Sequence, residues 1–428
     1  METAGPAFIK LGQWLTTRPD YFPPQLCDVF KKLQDNVHPH PFSQTRRSIE
    51  EAFSVPFHEL FEEFELTPLG VGCVAQVYKA TLRPPYRPKE NPSGKVAVKV
   101  LHQRAVSSID RDLRLMTFVA NVVNTLVPPL RWMGAKTVAN NFAEFMVTQL
   151  DLTHEAANMT KFRENFKARP RVKFATPYYP LVSQNVLVES FEEGVSVAKF
   201  MEVKDGPWNH EIANLGLSSF LRMVLRHNFV HADLHPGNIF VQVGDKQAGL
   251  PLNLVFLDCG LVSQLNDVDL ENFVALFMAV KDGNGQKAAE LMVERTTGDK
   301  SQMVDVPGFV KEMSELVRKN HNFKPGEVYI GNVLSSVLSL VHKHRVPLET
   351  NTSNLIMGII VVEGIGRQLN PKINIFEFVA DALKPDPGEE PISRLPIDEL
   401  DTWTNRLALF AYNTYHKVVM TVKGDAEQ

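Results

Sequence analysis

The sequence predicts an α+β fold of two unequal parts, a small strand-rich part followed by a larger, mostly helical one. Runs rich in β-branched residues cluster between Phe64 and Leu101. Apolar residues recur at helical spacing from Glu211 onward and again after Asp267. Between these helical stretches lie two apolar runs, Ile239 to Val243 and Leu252 to Leu257, which read as a hairpin.

At 428 residues the chain has room for two or three domains, or for one two-lobed unit. Its first 60 residues look helical, punctuated by Pro19, Pro23-Pro24 and His38-Pro39-His40-Pro41. Phe64 to Leu69, Val74 to Leu82 and Lys95 to Leu101 then read as three strands. The loop from Arg83 to Gly94, with Pro84, Pro85 and Pro88, can continue neither neighbour. Helical periodicity runs from Ile109 to about Phe166 and breaks at Pro128-Pro129. Val186 to Phe191 is a further strand, and Glu192-Glu193-Gly194 reads as a hinge. Ile212, Leu215, Phe220, Leu221, Val224 and Leu225 form one apolar helical stripe. Later helices are interrupted at Gly283-Asn284-Gly285 and at Pro307-Gly308. Lys384 to Pro391 reads as a linker, and Ile397 to Lys423 as a final amphipathic helix.

A hydrophobic share of 44% with 22% charged residues is ordinary for a globular chain. The formal net charge of -4 provides no global basic field, so nucleic acid is not an expected partner. Cys27, Cys73 and Cys259 are too scattered for a disulfide framework and fit a reducing compartment. The longest apolar run, around Leu355 to Val362, is too short to span a bilayer and contains Gly358. Met1-Glu2-Thr3 opens neither a signal peptide nor an Arg-rich transit peptide. Targeting information is therefore expected upstream of the chain or nowhere.

The densest chemistry lies in His231-Ala232-Asp233-Leu234-His235-Pro236-Gly237-Asn238. Phosphoryl transfer needs one carboxylate to orient an attacking oxygen, and oxygen ligands to hold Mg²⁺ against nucleotide phosphates. Asp233 and Asn238 stand five apart, as the base and a metal ligand do in a kinase catalytic loop. Asp258 of Asp258-Cys259-Gly260 follows twenty residues after Asn238, in the place of a second metal ligand. The two hairpin runs would carry Asn238 and Asp258 to one spot. A lone His-x-Asp is usually a satisfied turn, but three such residues split by two strands are not. One rival is a transition-metal site built on His231, Asp233 and His235. The hard oxygens of Asn238 and Asp258 suit Mg²⁺ better.

Upstream, Gly70, Val71, Gly72 and Cys73 sit between the first two strands, where backbone can approach phosphates. Hairpins use glycine freely, so this is weak alone. Val96-Ala97-Val98-Lys99 has the form of a strand whose lysine holds the α- and β-phosphates of ATP. Glu155 is the carboxylate expected to position Lys99, four residues after Asp151 and on its helix face if the helix has begun there. Together these predict a bilobal protein-kinase-like fold. Its parts are a helical N-terminal extension over 1–63, an N-lobe over 64–191, a mostly helical C-lobe over 192–383, and a linker and helix over 384–428. After Gly260 no Ala-Pro-Glu-type element anchors a long activation segment, which argues against a peptide acceptor.

Lys10-x-Gly12-Gln13 ahead of such a lobe resembles the UbiB family of atypical kinases, also called aarF-domain-containing kinases. The likeness extends through Thr17-Arg18-Pro19-Asp20, Ala75 to Ala80, the catalytic loop and Val362-Glu363-Gly364-Ile365-Gly366, or roughly residues 5 to 385. It implies that Lys10 and Gln13 lie on a helix over the cleft and gate it, facing an acidic-x-acidic motif. That motif is Gln149-Leu150-Asp151 here, so Lys10 would lose one anionic partner and the helix would be held more weakly. Gly70 and Gly72 stand where the family's phosphate loop is commonly alanine-rich. The resemblance further implies ATP with Mg²⁺, a mitochondrial location and a role in coenzyme Q or lipid metabolism. Implied partners are a lipid or quinone-pathway intermediate, a membrane surface and coenzyme Q biosynthesis proteins, while protein phosphorylation is not expected. Family members usually carry sequence before this lysine, so the resemblance implies a truncated, processed or incompletely predicted product. Two rival readings are a small-molecule phosphotransferase of aminoglycoside or choline kinase type and a nucleotide-switched scaffold without turnover. Lys10-x-Gly12-Gln13 and Gln149-x-Asp151 discriminate against the former.

Overall fold

The computed structural model describes residues 6–16, 39–126, 135–245, 250–295, 303–321, 330–346, 348 and 350–387. Helix α1 (Pro6–Thr16) precedes α2 (Phe42–Phe53), the short α3 (Phe57–Leu60), β1 (Phe61–Phe64), β2 (Gly70–Val71), β3 (Ala75–Leu82) and β4 (Lys95–Leu101). Helices α4 (Gln103–Leu126), α5 (Ala135–Gln149) and α6 (Leu152–Asn165) follow, then β5 (Val172–Phe174), β6 (Pro177–Val182) and β7 (Val186–Ser190). One antiparallel sheet runs in the order β1-β3-β4-β7-β6, with β2 paired to β3. The period of two along these strands decides its faces. Tyr78, Ala80, Leu82, Val96, Val98, Val100, Val186 and Val188 point into a core closed by Ile49 of α2 and Leu60 of α3. Each such buried aliphatic side chain contributes about 1.5–3 kcal/mol by leaving water. On the opposite face, Leu101 and Leu187 pack with Leu152, Ala156 and Met159 of α6.

The second lobe starts with β8 (Val195–Ser196), α7 (Val197–Met201) and α8 (Asn209–Leu225), then β9 (Val230–His231), β10 (Ile239–Gln242), β11 (Asn253–Phe256) and β12 (Val262–Ser263). It closes with α9 (Asp267–Lys281), α10 (Gly285–Arg295), α11 (Val306–His321), α12 (Ile330–His344), α13 (Thr350–Leu369) and α14 (Phe376–Leu383). Its small sheet runs β5-β11-β10-β8, with β5 parallel to β11. The predicted stripe of α8 is buried at Ile212, Phe220, Leu221 and Val224, in one core with Leu355, Ile359 and Val362 of α13. Glu363, 2% exposed, explains the Val362-to-Gly366 run. Its carboxylate accepts from the amides of Ile330 and Gly331 at the start of α12 and from Arg367 Nε at 2.9 Å.

Several expectations are corrected. Phe64 to Leu69 is not a strand, because the pairing of β1 ends at Phe64. The chain still stays beside β3, with Glu65 N donating to Lys79 O at 2.9 Å and Leu69 N to Val77 O at 2.8 Å. Pro68 has no N–H to continue the ladder between them. The long helical stretch is split at Leu150-Asp151, since Asp151 caps α6 rather than lying inside it. Pro307-Gly308 does not interrupt a helix. It lies in the first turn of α11, where a missing N–H costs nothing, and Asp305 Oδ1 accepts from Gly308 N at 3.0 Å. The described part of the Lys384-to-Pro391 linker is docked, with Asp386 7% exposed. Pro128-Pro129, Thr17 to Asp20 and the helix expected over Ile397 to Lys423 lie outside the described residues.

Candidate active site

The β10–β11 hairpin pairs Ile239 with Phe256 and Gln242 with Asn253. One step beyond, Leu257 N donates to Asn238 O at 2.9 Å, so Asn238 and Asp258 emerge side by side. Asn238 Nδ2 donates to the carbonyl of Asp233 at 3.0 Å, which fixes the amide and leaves Oδ1 to accept. The Asp233 carboxylate has no hydrogen-bond partner among the described residues, while its main chain is held by His231 and Asn238. Asp258 sits at φ 53, in the left-handed region. For a non-glycine residue that conformation costs about 1 kcal/mol or more and persists only where surroundings impose it.

The transition-metal reading of His231, Asp233 and His235 is overturned. His231 is fully buried, donates from Nε2 to Leu257 O at 2.9 Å and accepts from Asp233 N at Nδ1. Both ring nitrogens are engaged, and burial lowers the imidazole pKa, keeping it neutral. His235 Nδ1 instead accepts from Gly237 N at 3.1 Å. Among the described residues no group of three or more His, Cys, Asp or Glu is arranged to hold a metal.

Lys99 bridges two elements. Its Nζ lies 2.9 Å from both oxygens of Glu155 on α6 and 3.0 Å from Asp258 Oδ1. Burial works against the ammonium, but Asp258 and Glu155 more than offset it and raise the lysine pKa. Lys99 in turn holds the Asp258 carboxyl well below the usual range. Burial pushes Glu155 up, with Lys99 opposing and Asp258 adding to the rise. One cation thus serves two carboxylates, of which the half-exposed Asp258 is the readily ionised one. A second tie links α6 to this corner, Asn158 Nδ2 donating to Cys259 O at 2.9 Å.

Over the cleft, Gly70 pairs with Val77 and Val71 with Gln76, and Gly72 N donates to Ala75 O at 2.8 Å. A Cβ at Gly70 would meet nothing within 4 Å, so that space faces open cleft rather than neighbouring chain. Cys73 is buried at 3% exposure. Sequence reasoning missed the support behind this loop. The His102 ring meets Gly72 O at 3.0 Å through Nε2 and His40 Nδ1 at 2.5 Å through Nδ1. His40 continues to Thr45 Oγ1 at 2.8 Å, and Thr45 to the Tyr78 hydroxyl at 2.9 Å. Burial, reinforced by His102, lowers His40 to about 4.

Among the gating residues, Lys10 is half-buried on α1, which packs through Ala7, Trp14 and Leu15 against Ile109, Phe142 and Met146. Its charge adds, after that of Lys99, to the lowering of Asp258. Among the described residues Lys10 forms no bond to Gln149 or Asp151. Asp151 is occupied in capping, accepting from Thr153 N at 2.9 Å and Thr153 Oγ1 at 2.5 Å. The side chain of Gln13 lies outside the described residues.

A glycine-bearing hairpin, a strand lysine paired to a helix glutamate, and an Asp/Asn/Asp set on a hairpin define a kinase-like protein. The family model for the ABC1 atypical kinase-like domain matches residues 32–292, and that for the UbiB helical domain matches 313–374. The chain belongs to the ABC1/UbiB family of atypical kinases. It is 34% identical over 431 residues to the mitochondrial ABC1 family protein YPL109C of Saccharomyces cerevisiae, covering 88% of this chain and 65% of that protein. It is 29% identical over 416 residues to the Erwinia tasmaniensis protein named "Probable protein kinase UbiB", covering 95% of this chain and 73% of that one. The chain thus spans less than two thirds of the yeast relative. Among solved structures, the Rv3197–erythromycin complex of Mycobacterium tuberculosis has a TM-score of 0.56 at 20% identity, covering 84% of this chain and 87% of that one. This supports the fold.

Proposed function

We infer that the cleft binds a nucleoside triphosphate with Mg²⁺ and that the chain is an atypical kinase or ATPase. The observation that carries this reading is the Lys99–Glu155–Asp258 cluster beside Asn238, whose Oδ1, like the Asp233 carboxylate, has no hydrogen-bond partner among the described residues. Asn238 Oδ1 and Asp258 are hard oxygen donors, the set that suits Mg²⁺, which would neutralise charge on the phosphates when bound. Lys99 orients the α- and β-phosphates, with Glu155 fixing its ammonium. The Gly70-to-Gly72 hairpin covers them, and Asp233 orients the attacking hydroxyl or water. We assign the acceptor to lipid or quinone metabolism in mitochondria rather than to a peptide. The relatives named mitochondrial support the location. An apolar stripe on α4, exposed at Leu115, Phe118, Val119 and Leu126, supports a lipid or membrane partner. Among the described residues no helix is long and apolar enough to cross a membrane.

The test is ATP turnover by the purified chain with and without a quinone-like lipid, beside Asp258→Asn. Metal-dependent turnover that rises with lipid and is lost in the variant is expected. Nucleotide binding with no turnover under any of these conditions would assign the chain to a nucleotide-switched scaffold instead.

A further inference from the structure

The sheet face that looks into the cleft carries one carboxyl that phosphoryl transfer does not use. In the β4–β7 ladder Ala97 stands opposite Glu189, and Lys99 opposite Leu187. Val96, Val98, Val186 and Val188 all enter the core on the other side. Alternation along the strands therefore sends Ala97, Lys99 and Glu189 to the cleft side. On β3, Val77 pairs with Lys99 while its neighbour Tyr78 enters the core, so Val77 shares that side. Val77 and Ala97 make an apolar ceiling with Glu189 at its margin, where β7 leads into the segment joining the lobes.

Glu189 is half-buried, and among the described residues its carboxyl has no hydrogen bond or ion pair. The groups acting on it are Glu155 from α6, Lys99 from β4, Asp258 beyond β11 and Glu192 in the joining segment. Lys99, the cation in this set, is already bonded to Glu155 and Asp258. Burial and then Glu155 push the Glu189 carboxyl up to about 8, with Lys99 opposing and Asp258 and Glu192 adding. A half-buried carboxyl with no protein partner among the described residues, at the margin of the cleft, is available to pair with a ligand.

We propose that Glu189 selects the nucleobase, its carboxyl reading the hydrogen-bonding edge of an adenine ring held under Val77 and Ala97. A protonated carboxyl presents an O–H donor beside a C=O acceptor. These match a ring-nitrogen acceptor and the N6 amino donor of adenine, as an Asn or Gln amide does. An ionised carboxylate only accepts, repels the adenine ring nitrogen and matches the adjacent N1–H and N2–H donors of guanine. Base choice therefore follows the protonation of this one side chain. The inference rests on the reading of the cleft as a nucleotide site.

The experiment measures affinities for non-hydrolysable ATP and GTP analogues by calorimetry, on the full chain, Glu189→Gln and Glu189→Met. The ratio of the two affinities cancels effects on the shared triphosphate. In the wild type, adenine preference should be about tenfold near pH 6.5, the scale of one good hydrogen bond, and fall several-fold near pH 8.8. Glu189→Gln should keep the preference and lose its pH dependence, and Glu189→Met should lose most of the preference at both. A wild-type ratio that ignores pH, or a Met variant that discriminates as the wild type does, overturns the role of Glu189 while leaving the nucleotide site standing. Failure of the wild type to bind either analogue overturns both.

Discussion

Two ionic clusters in this molecule each set basic side chains against carboxylates, and they differ in balance. In the cleft, the Lys99 ammonium faces the carboxylates of Glu155 and Asp258. Where the segment after α14 docks on α8, Arg169 and Arg222 face Asp381 and Asp386. Among the described residues the ion pairs there set two guanidiniums against two carboxylates, and Arg222 Nη1 also donates to the carbonyls of Asp381 and Lys384 at 3.0 and 3.1 Å. The latch spends its donors inside the protein and fastens the segment after α14 onto α8. The Lys99 cluster instead sets two carboxylates against one ammonium. Under the proposed function, its second carboxylate, beside Asn238 Oδ1, would be the place for a cation. Charge balance rather than charge density separates the two roles.

If that distinction holds, variants in the two clusters should fail in different ways. The largest effect is expected at Asp233, next to the unbalanced cluster. Asp233→Asn should lower turnover by about 10²–10⁴-fold with the melting midpoint unchanged, as for loss of a general acid–base group. Undiminished ATP turnover in that variant would refute the role. Asp386→Ala should do the reverse, costing about 3–5 kcal/mol of stability by stranding Arg222 without its buried partner. A urea titration reads this. If its midpoint stays put, the latch is not structural.

A smaller effect separates the charged cleft from the neutral network behind its glycine hairpin. Unfolded histidine protonates below about pH 6.5, but folded His40 resists until about 4. In that window the unfolded chain binds more protons, so stability falls as pH drops. His40→Gln should flatten this slope by about one proton, seen as the difference between the two proteins' melting midpoints. An unchanged slope would place the proton uptake elsewhere. The smallest effect is expected at Lys10. Lys10→Ala should alter nucleotide affinity or ATPase rate by no more than about fivefold, the scale of a solvent-accessible charge. No change in either would mean that α1 does not gate the cleft.

What the sequence made legible follows the same division. The Asn238–Asp258 hairpin could be read because two β-branched runs bracket it and each end carries a residue with a chemical reason to be there. Glu155 became readable once Lys99 demanded a carboxylate. Strands β5 and β6 were missed because one has three residues and the other contains Pro177 and Pro180, which argue against a strand. Asp151 read as a face residue because spacing alone does not distinguish a cap from a first turn. His40 and His102 are 62 residues apart, and neither belongs to a local pattern. Glu189 was visible only as part of a strand. Its facing depends on register with β4, which no single strand reveals.

Helix α6 carries Glu155 to the strand lysine and, one turn on, Asn158 to the carbonyl of Cys259 beside Asp258. A tilt of this one rod would therefore move Lys99 and the Asp258 corner together. Pressure on its capped start at Asp151 would reach the Lys99 ammonium and the Cys259 carbonyl through the same rigid element.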